Sequence, residues 1–327
     1  MNLIKEIDVL RKSVDKVKEY IRTILEPAFV PSKIKVGIDL NLKGKEIGLV
    51  LSGGGARGIA HVGILKILEE NGIKPAFIVG TSAGAIVGAF YAGGMSPDEI
   101  FNFYTIEDRA FRKLSLLKSV KPSRRSKILR GLLSNYLPVE TFEETEIPLF
   151  INAVDIKSCK RMVFSKGEII PAVLGSSAIP FVFEPVEFGK RLLLDGGVLD
   201  LFGVDIARKV NKSVFLNKLN LVISDVSGLT DESSGSKLQS IILNVSKEVI
   251  DLIKYLGQKK SNVNDKNDII PIINNLIYLL KKRPPLFPKI IEKEYLLCPQ
   301  LEGMRMFDFK DYKKAFLKGI KAILFLS

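Results

Sequence analysis

Residues 46–58 read Glu-Ile-Gly-Leu-Val-Leu-Ser-Gly-Gly-Gly-Ala-Arg-Gly, and residues 76–84 read Ala-Phe-Ile-Val-Gly-Thr-Ser-Ala-Gly. Each is a short apolar run ending in a glycine loop, the pattern of a buried strand that feeds a turn. Behind the first loop, Ala60, Ile64, Ile67 and Leu68 share one face of a helix that Gly72 stops. Behind the second, an apolar helix runs to about Ala92. Strand, turn and helix twice in succession demand parallel strands with crossover helices, hence an α/β fold. Both glycine loops then lie at the carboxyl ends of neighbouring strands, where open α/β sheets place their sites.

Outward from this pair, residues 76–97 carry no charge for 22 positions. Five glycines, a Thr-Ser turn and Pro97 argue for an element buried behind the sheet rather than a membrane span. Further strands are expected at 149–154, 162–164, 191–194 and 219–224, with helices at 167–175 and 204–209. Residues 225–290 read as a charged, loop-broken helical stretch, and 311–325 as a closing amphipathic helix. At the other end Leu3, Ile7, Leu10, Val14, Val17, Ile21 and Ile24 recur at steps of four and three until Pro27. That helix either docks on its own domain or, with Ile7, Val14 and Ile21 on one seam, pairs with a second copy through residues 3–24. Three parts are therefore expected: an N-terminal amphipathic helix and linker at 1–45, a catalytic core at 46–225, and a helical, irregular part at 226–327 that packs on the core.

The 327 residues hold 49 Lys+Arg against 36 Asp+Glu, a formal charge of +13, with ordinary globular composition. Two cysteines exclude a disulfide framework, and a single histidine, His61, excludes multi-histidine metal sites. The opening residues show no apolar secretory segment, which makes the cytoplasm the expected compartment. The basic balance points to an anionic partner.

Gly80-Thr81-Ser82-Ala83-Gly84 matches G-x-S-x-G, the nucleophile elbow. Small residues are needed on both sides because the serine sits on a tight strand-to-helix turn. A helix N-terminus at that point stabilises developing negative charge. Gly53-Gly54-Gly55-Ala56-Arg57-Gly58 also satisfies G-x-G-x-x-G, the dinucleotide fingerprint. A Rossmann site needs an acid at the end of the second strand to hold the ribose, and here that place is taken by Ser82. The glycines read better as an oxyanion hole beside the serine, while a non-enzymatic or dinucleotide-binding regulator stays as the alternative.

No histidine follows Ser82, so an α/β-hydrolase triad with its Ser, acid, His order is excluded. His61 reads as a packing residue, and Ser115–Lys118, an S-x-x-K match, lacks its companion motifs. A carboxylate remains. Asp195-Gly196-Gly197 follows Leu192-Leu193-Leu194, an aspartate at a strand's carboxyl end that reads either as a simple turn or as a base able to take the serine proton directly.

Taken together these blocks resemble the patatin-like phospholipases, serine acyl hydrolases with a Ser-Asp dyad in a three-layer α/β/α fold. The resemblance rests on Gly53–Gly58, on Gly80–Gly84, on Ser176-Ser177-Ala178-Ile179-Pro180 running to Pro185, and on Asp195-Gly196-Gly197, in family order over residues 46–210. It implies Ser82 as nucleophile, Asp195 as base and the amides of Gly53, Gly54 and Gly55 as oxyanion hole. Arg57, Gly58, Gly80, Gly84, Gly196 and Gly197 are implied as motif support. It implies a phospholipid or other acyl-ester substrate and neither metal nor cofactor. One departure stands out: where relatives carry N-x-P after the D-G-G, this chain has Leu201 and Gly203.

Residues 109–130 hold nine Lys and Arg and no acid, interleaved with leucines. Such a segment suits an anionic membrane surface and peripheral association. Nucleic acid is not expected, since no recognition motif appears and Phe111 is the segment's sole aromatic residue.

Overall fold

β1 (Glu46–Leu51) is buried from Ile47 onward, as a strand covered on both faces must be. β2 (Lys74–Thr81) lies parallel beside it. This computed structural model describes residues 42, 44–116, 119–180, 182–227, 275, 289–301, 304, 307 and 309–324. The expected helix at 3–24 and nearly all of 228–288 lie outside the described residues.

Six further strands complete the sheet: β3 (Leu149–Asp155), β4 (Lys160–Phe164), β5 (Val186–Phe188), β6 (Arg191–Asp195), β7 (Asn220–Ser224) and β8 (Glu294–Leu297). Hydrogen bonding runs β5-β6-β3-β2-β1-β7-β8, with β4 also on β3. The strands β3, β2, β1, β7 and β8 are mutually parallel. β4 and β6 run antiparallel to β3, and β5 antiparallel to β6.

The helices are α1 (Ile59–Glu70), α2 (Ala83–Ala92), α3 (Pro97–Ile106), α4 (Asp108–Ser115), α5 (Pro122–Tyr136), α6 (Ile169–Ser176), α7 (Val204–Phe215) and α8 (Tyr312–Leu324). On one face of the sheet α7 closes over Val50, Phe77, Val79, Leu221, Ile223 and Leu296. The other helices bury the opposite face. The fold is therefore a three-layer α/β/α sandwich around a mixed, mainly parallel sheet. Each fully buried Leu, Ile, Val or Phe in these two cores contributes about 1.5–3 kcal/mol relative to exposure.

Three readings change. β8 makes the C-terminal part a contributor to the sheet rather than only a helical addition, and α8 packs on α1 where Gly63 and Gly319 let the backbones touch. A four-residue strand that directly follows the charged Glu292-Lys293 pair leaves no alternation to read, and β5 with three residues leaves even less. The basic segment is also split by the core. Arg125 is 2% exposed, its Nε donating to the Val182 carbonyl at 2.6 Å and its Nη1 to the Val120 carbonyl at 2.6 Å. Leu114 and Leu129 are buried as well, so this part of the segment holds α4 and α5 against the domain instead of facing solvent.

The edges of β3 decide where the site forms. β4 pairs along Ile151–Asp155 and fills one edge. On the other edge β2 covers Leu149–Asn152 and β6 covers Ala153–Asp155. These two strands come from opposite directions and stop at consecutive residues: Thr81 pairs with Asn152, and Asp195 with Ala153. Successive residues of a strand are about 3.3 Å apart along its axis. The carboxyl ends of β2 and β6 therefore meet head-on, one residue step apart.

Candidate active site

Ser82 follows Thr81 directly and caps α2 with φ 54° and ψ −119°. A side-chain-bearing residue in that region costs on the order of 1–3 kcal/mol and persists where its surroundings hold it. Here they do. The Ser82 amide donates to Ser176 Oγ at 2.9 Å, and Ser176 Oγ donates on to the Asn152 carbonyl at 2.6 Å. The Ser82 carbonyl accepts from Ser177 Oγ at 3.3 Å and from the amides of Ala85 and Ile86. Close approach requires Gly84 in the first turn of α2, because a Cβ there would collide with the Leu51 carbonyl. Gly80 is also tight against the Gly84 carbonyl, and Gly58 against the Ala83 side chain.

Asp195 ends β6 and is 4% exposed, as is Ser82. Its Oδ1 accepts from the Gly197 amide at 2.7 Å. Its own amide donates to the Ala178 carbonyl at 3.0 Å. One short segment, Ser176-Ser177-Ala178, thus grips the backbone of both Ser82 and Asp195. The sequence showed this block as part of the resemblance but gave it no task, because its work is hydrogen bonding to residues about 20 and 95 positions away. Gly196 belongs to the same arrangement: a Cβ there would strike the Asn152 carbonyl.

The glycine loop is more selective than its sequence. The Gly53 amide donates to the Leu201 carbonyl at 2.9 Å, so that N–H is engaged within the fold. Gly55 turns the chain at φ 61°. Arg57, 5% exposed, donates from Nε to the Gly54 carbonyl at 3.4 Å and from Nη2 to the Ser227 carbonyl. Nearby Asp225 is fully enclosed, and burial pushes its carboxyl above the ordinary range while Arg57 and Ser227 partly offset the rise.

His61 stands outside this machinery. It is fully buried, with Nε2 donating to the Ser52 carbonyl at 2.9 Å and Nδ1 accepting from Ser224 Oγ at 2.6 Å. The Ser52 carbonyl fixes the proton on Nε2, and burial favours the neutral ring, lowering its pKa to about 4. The unfolded chain takes up this proton near pH 6.5, while the folded protein resists it until about pH 4. Stability is complete above pH 6.5 and is lost as pH falls across that window, by about 3 kcal/mol. Urea unfolding at pH 6.5 and pH 4 should show this loss, and His61→Gln should flatten it while hydrolysis by the folded variant stays within about tenfold of wild type. An unchanged pH slope in the variant would remove His61 from the account.

Among the described residues no cluster of three or more His, Cys, Asp or Glu side chains is placed to hold a metal ion. No helix among them is long and apolar enough to cross a membrane.

A family model described as patatin-like phospholipase matches residues 49–208. An uncharacterized NTE family protein of Mycobacterium tuberculosis is 31% identical over 220 residues, covering 59% of this chain and 59% of that protein. A lysophospholipase of Aspergillus fumigatus is 32% identical over 172 residues, covering 50% of this chain and 11% of that one. The chain thus spans about three-fifths of the length of the first relative and about a tenth of the second. The crystal structure of VipD from Legionella pneumophila aligns at 14% identity with a TM-score of 0.37, over 86% of this chain and 70% of that one. The matched stretch opens inside β1 and closes inside α7, enclosing both glycine loops and the head-on strands. Through residues 49–208 the chain belongs to the patatin-like phospholipase family.

Proposed function

We propose that the protein is a serine lipid acyl hydrolase in which Ser82 is the nucleophile and Asp195 the base. The observation that carries this reading is the meeting of β2 and β6 on one edge of β3, which sets a strained serine beside a buried carboxylate. Ser82 Oγ attacks the ester carbonyl while its proton passes to Asp195. The tetrahedral oxyanion is held by the amides of Gly54 and Gly55, with Gly53 anchoring the loop through Leu201. Collapse breaks the C–O bond, and Asp195 returns the proton to the leaving alcohol. Water, deprotonated by Asp195, then attacks the acyl-serine, and Ser82 leaves with the proton restored. The name lysophospholipase borne by the Aspergillus relative supports a phospholipid or lysophospholipid ester as substrate. Labelling with a fluorophosphonate tests the proposal: the label is expected on Ser82, and an intact, folded protein that takes up no label there would refute it.

The same reading places the enzyme at an anionic membrane surface. Arg124, Lys127 and Arg130 lie exposed along α5, with Arg109 and Lys113 exposed on α4 and Leu116 50% exposed after it. Each basic side chain near anionic headgroups contributes about 1 kcal/mol, so Arg124, Lys127 and Arg130 together are worth on the order of 100-fold in binding. Replacing the three with Ser should lower co-sedimentation with phosphatidylglycerol vesicles by that factor and weaken its salt dependence, leaving soluble-ester hydrolysis unchanged. Equal binding by the variant, or equal affinity of the wild type for phosphatidylcholine, would count against this surface.

A further inference from the structure

The turn between Asp195 and α7, where the chain departs from the N-x-P pattern, is clamped on all sides. Asp200 Oδ1 accepts from the Phe202 amide at 3.0 Å, Oδ2 from Arg161 at 3.0 Å, and its carbonyl from Asn152 Nδ2 at 2.8 Å. Arg161 also binds both oxygens of Asp205 at 2.6 Å. Gly203 adopts φ 78°, a left-handed conformation closed to proline, whose ring holds φ near −65°. The turn is therefore built differently from one containing N-x-P, and it is fixed before and after Leu201.

This backbone delivers the Leu201 side chain to one place. Its Cδ1 lies 2.6 Å from where a Cβ on Gly53 would stand and 2.7 Å from where one on Gly197 would stand. The Gly53 position is 3.2 Å from Ser82 Cβ, and the Gly197 position is 3.0 Å from Asp195 Oδ1. A single half-buried methyl thus sits between the loop beside the nucleophile and the loop beside the base.

We propose that Leu201 is a specificity-determining residue, the apolar wall against which the first carbons of the substrate's acyl chain lie. The inference rests on the acyl-hydrolase reading above. A methyl so near both Ser82 and Asp195 reaches atoms adjoining the reacting carbonyl. On the alcohol side of a lipid ester those atoms are polar, and a leucine against them would strip their water without supplying a hydrogen bond. On the acyl side they are methylenes, which gain by leaving water.

The test measures kcat/KM for p-nitrophenyl acetate, butyrate, hexanoate and octanoate, beside a series of acetate esters with alcohols of increasing length. In Leu201→Ala and Leu201→Asn the preference for hexanoate over acetate should shrink by about tenfold, the scale of one or two lost methylene contacts. The hexanoate-to-octanoate step and the alcohol series should stay as in the wild type. Leu201→Met, apolar and of similar size, should keep the wild-type preference and guards against a variant that merely unfolds. An unchanged acyl preference in the folded Ala and Asn variants would overturn the proposal, as would a shift confined to the alcohol series. Fluorophosphonate labelling separates the two layers. An unlabelled Ser82 refutes the acyl-hydrolase reading, whereas a labelled Ser82 with an unchanged acyl preference refutes Leu201 alone.

Discussion

Ser82→Ala should reduce ester hydrolysis on the order of 10⁴-fold or more, about 5 kcal/mol of lost transition-state stabilisation. The effect is large because in the proposed mechanism Oγ is the atom that forms the acyl bond. The substitution keeps the Cβ and the backbone bonds that hold φ at 54°, namely those to Ser176, Ser177, Ala85 and Ile86. Its melting temperature should therefore match the wild type within a few degrees. Ser82→Gly offers a sharper control. It should be just as inactive yet at least as stable, because glycine occupies positive φ without the steric cost that serine carries. Initial rates on a soluble ester, with circular dichroism and thermal melts on the same preparations, would measure all three. A folded Ser82→Ala protein retaining a tenth of wild-type activity would rule out the nucleophile.

Asp195→Asn is expected to cost about 10³–10⁴-fold in kcat, with KM changed little. The amide oxygen can still accept the Gly197 N–H, so the turn after β6 survives, but it cannot take the proton from Ser82. Nothing else in the chain can serve as an imidazole base. The protein's one histidine is enclosed and bonded at both ring nitrogens to Ser52 and Ser224. The rate–pH profile of the wild type should accordingly rise with a single carboxylate ionisation and lack an inflection near pH 6.5. A folded Asp195→Asn enzyme within tenfold of wild type, or a profile governed by an imidazole ionisation, would overturn the dyad.

Much of the fold and both members of the proposed dyad were legible in the sequence, because the signals that carry them are local. An apolar run into Gly-Gly-Gly or Gly-Thr-Ser-Ala-Gly reports a buried parallel strand entering a helix, whatever the rest of the chain does. Gly80 marks a backbone contact within its own strand–turn–helix unit and Gly84 one with the neighbouring strand β1, and Asp195-Gly196-Gly197 marks a strand end. The absence of any histidine after Ser82 excluded a triad by counting alone.

What the sequence left open is what depends on pairing at long range. β6 could have joined the sheet at any edge; that it descends on the edge β2 already occupies, stopping at Ala153 where β2 stops at Asn152, is a matter of register between segments 40 and 70 residues apart. The same holds for β8, recruited to β7 across a stretch of about 70 residues, and for the Gly53 amide, which only the path of the turn at Leu201 commits. Arg125 belongs here too: a charge in a basic run reads as solvent-facing until the carbonyls of Val120 and Val182 are seen to enclose it. Periodicity and turn chemistry act over a few residues and so determined the elements and the chemistry each one carries. Which ends meet is set by burial and hydrogen bonding summed over the whole chain, and that summation the tertiary structure alone decided.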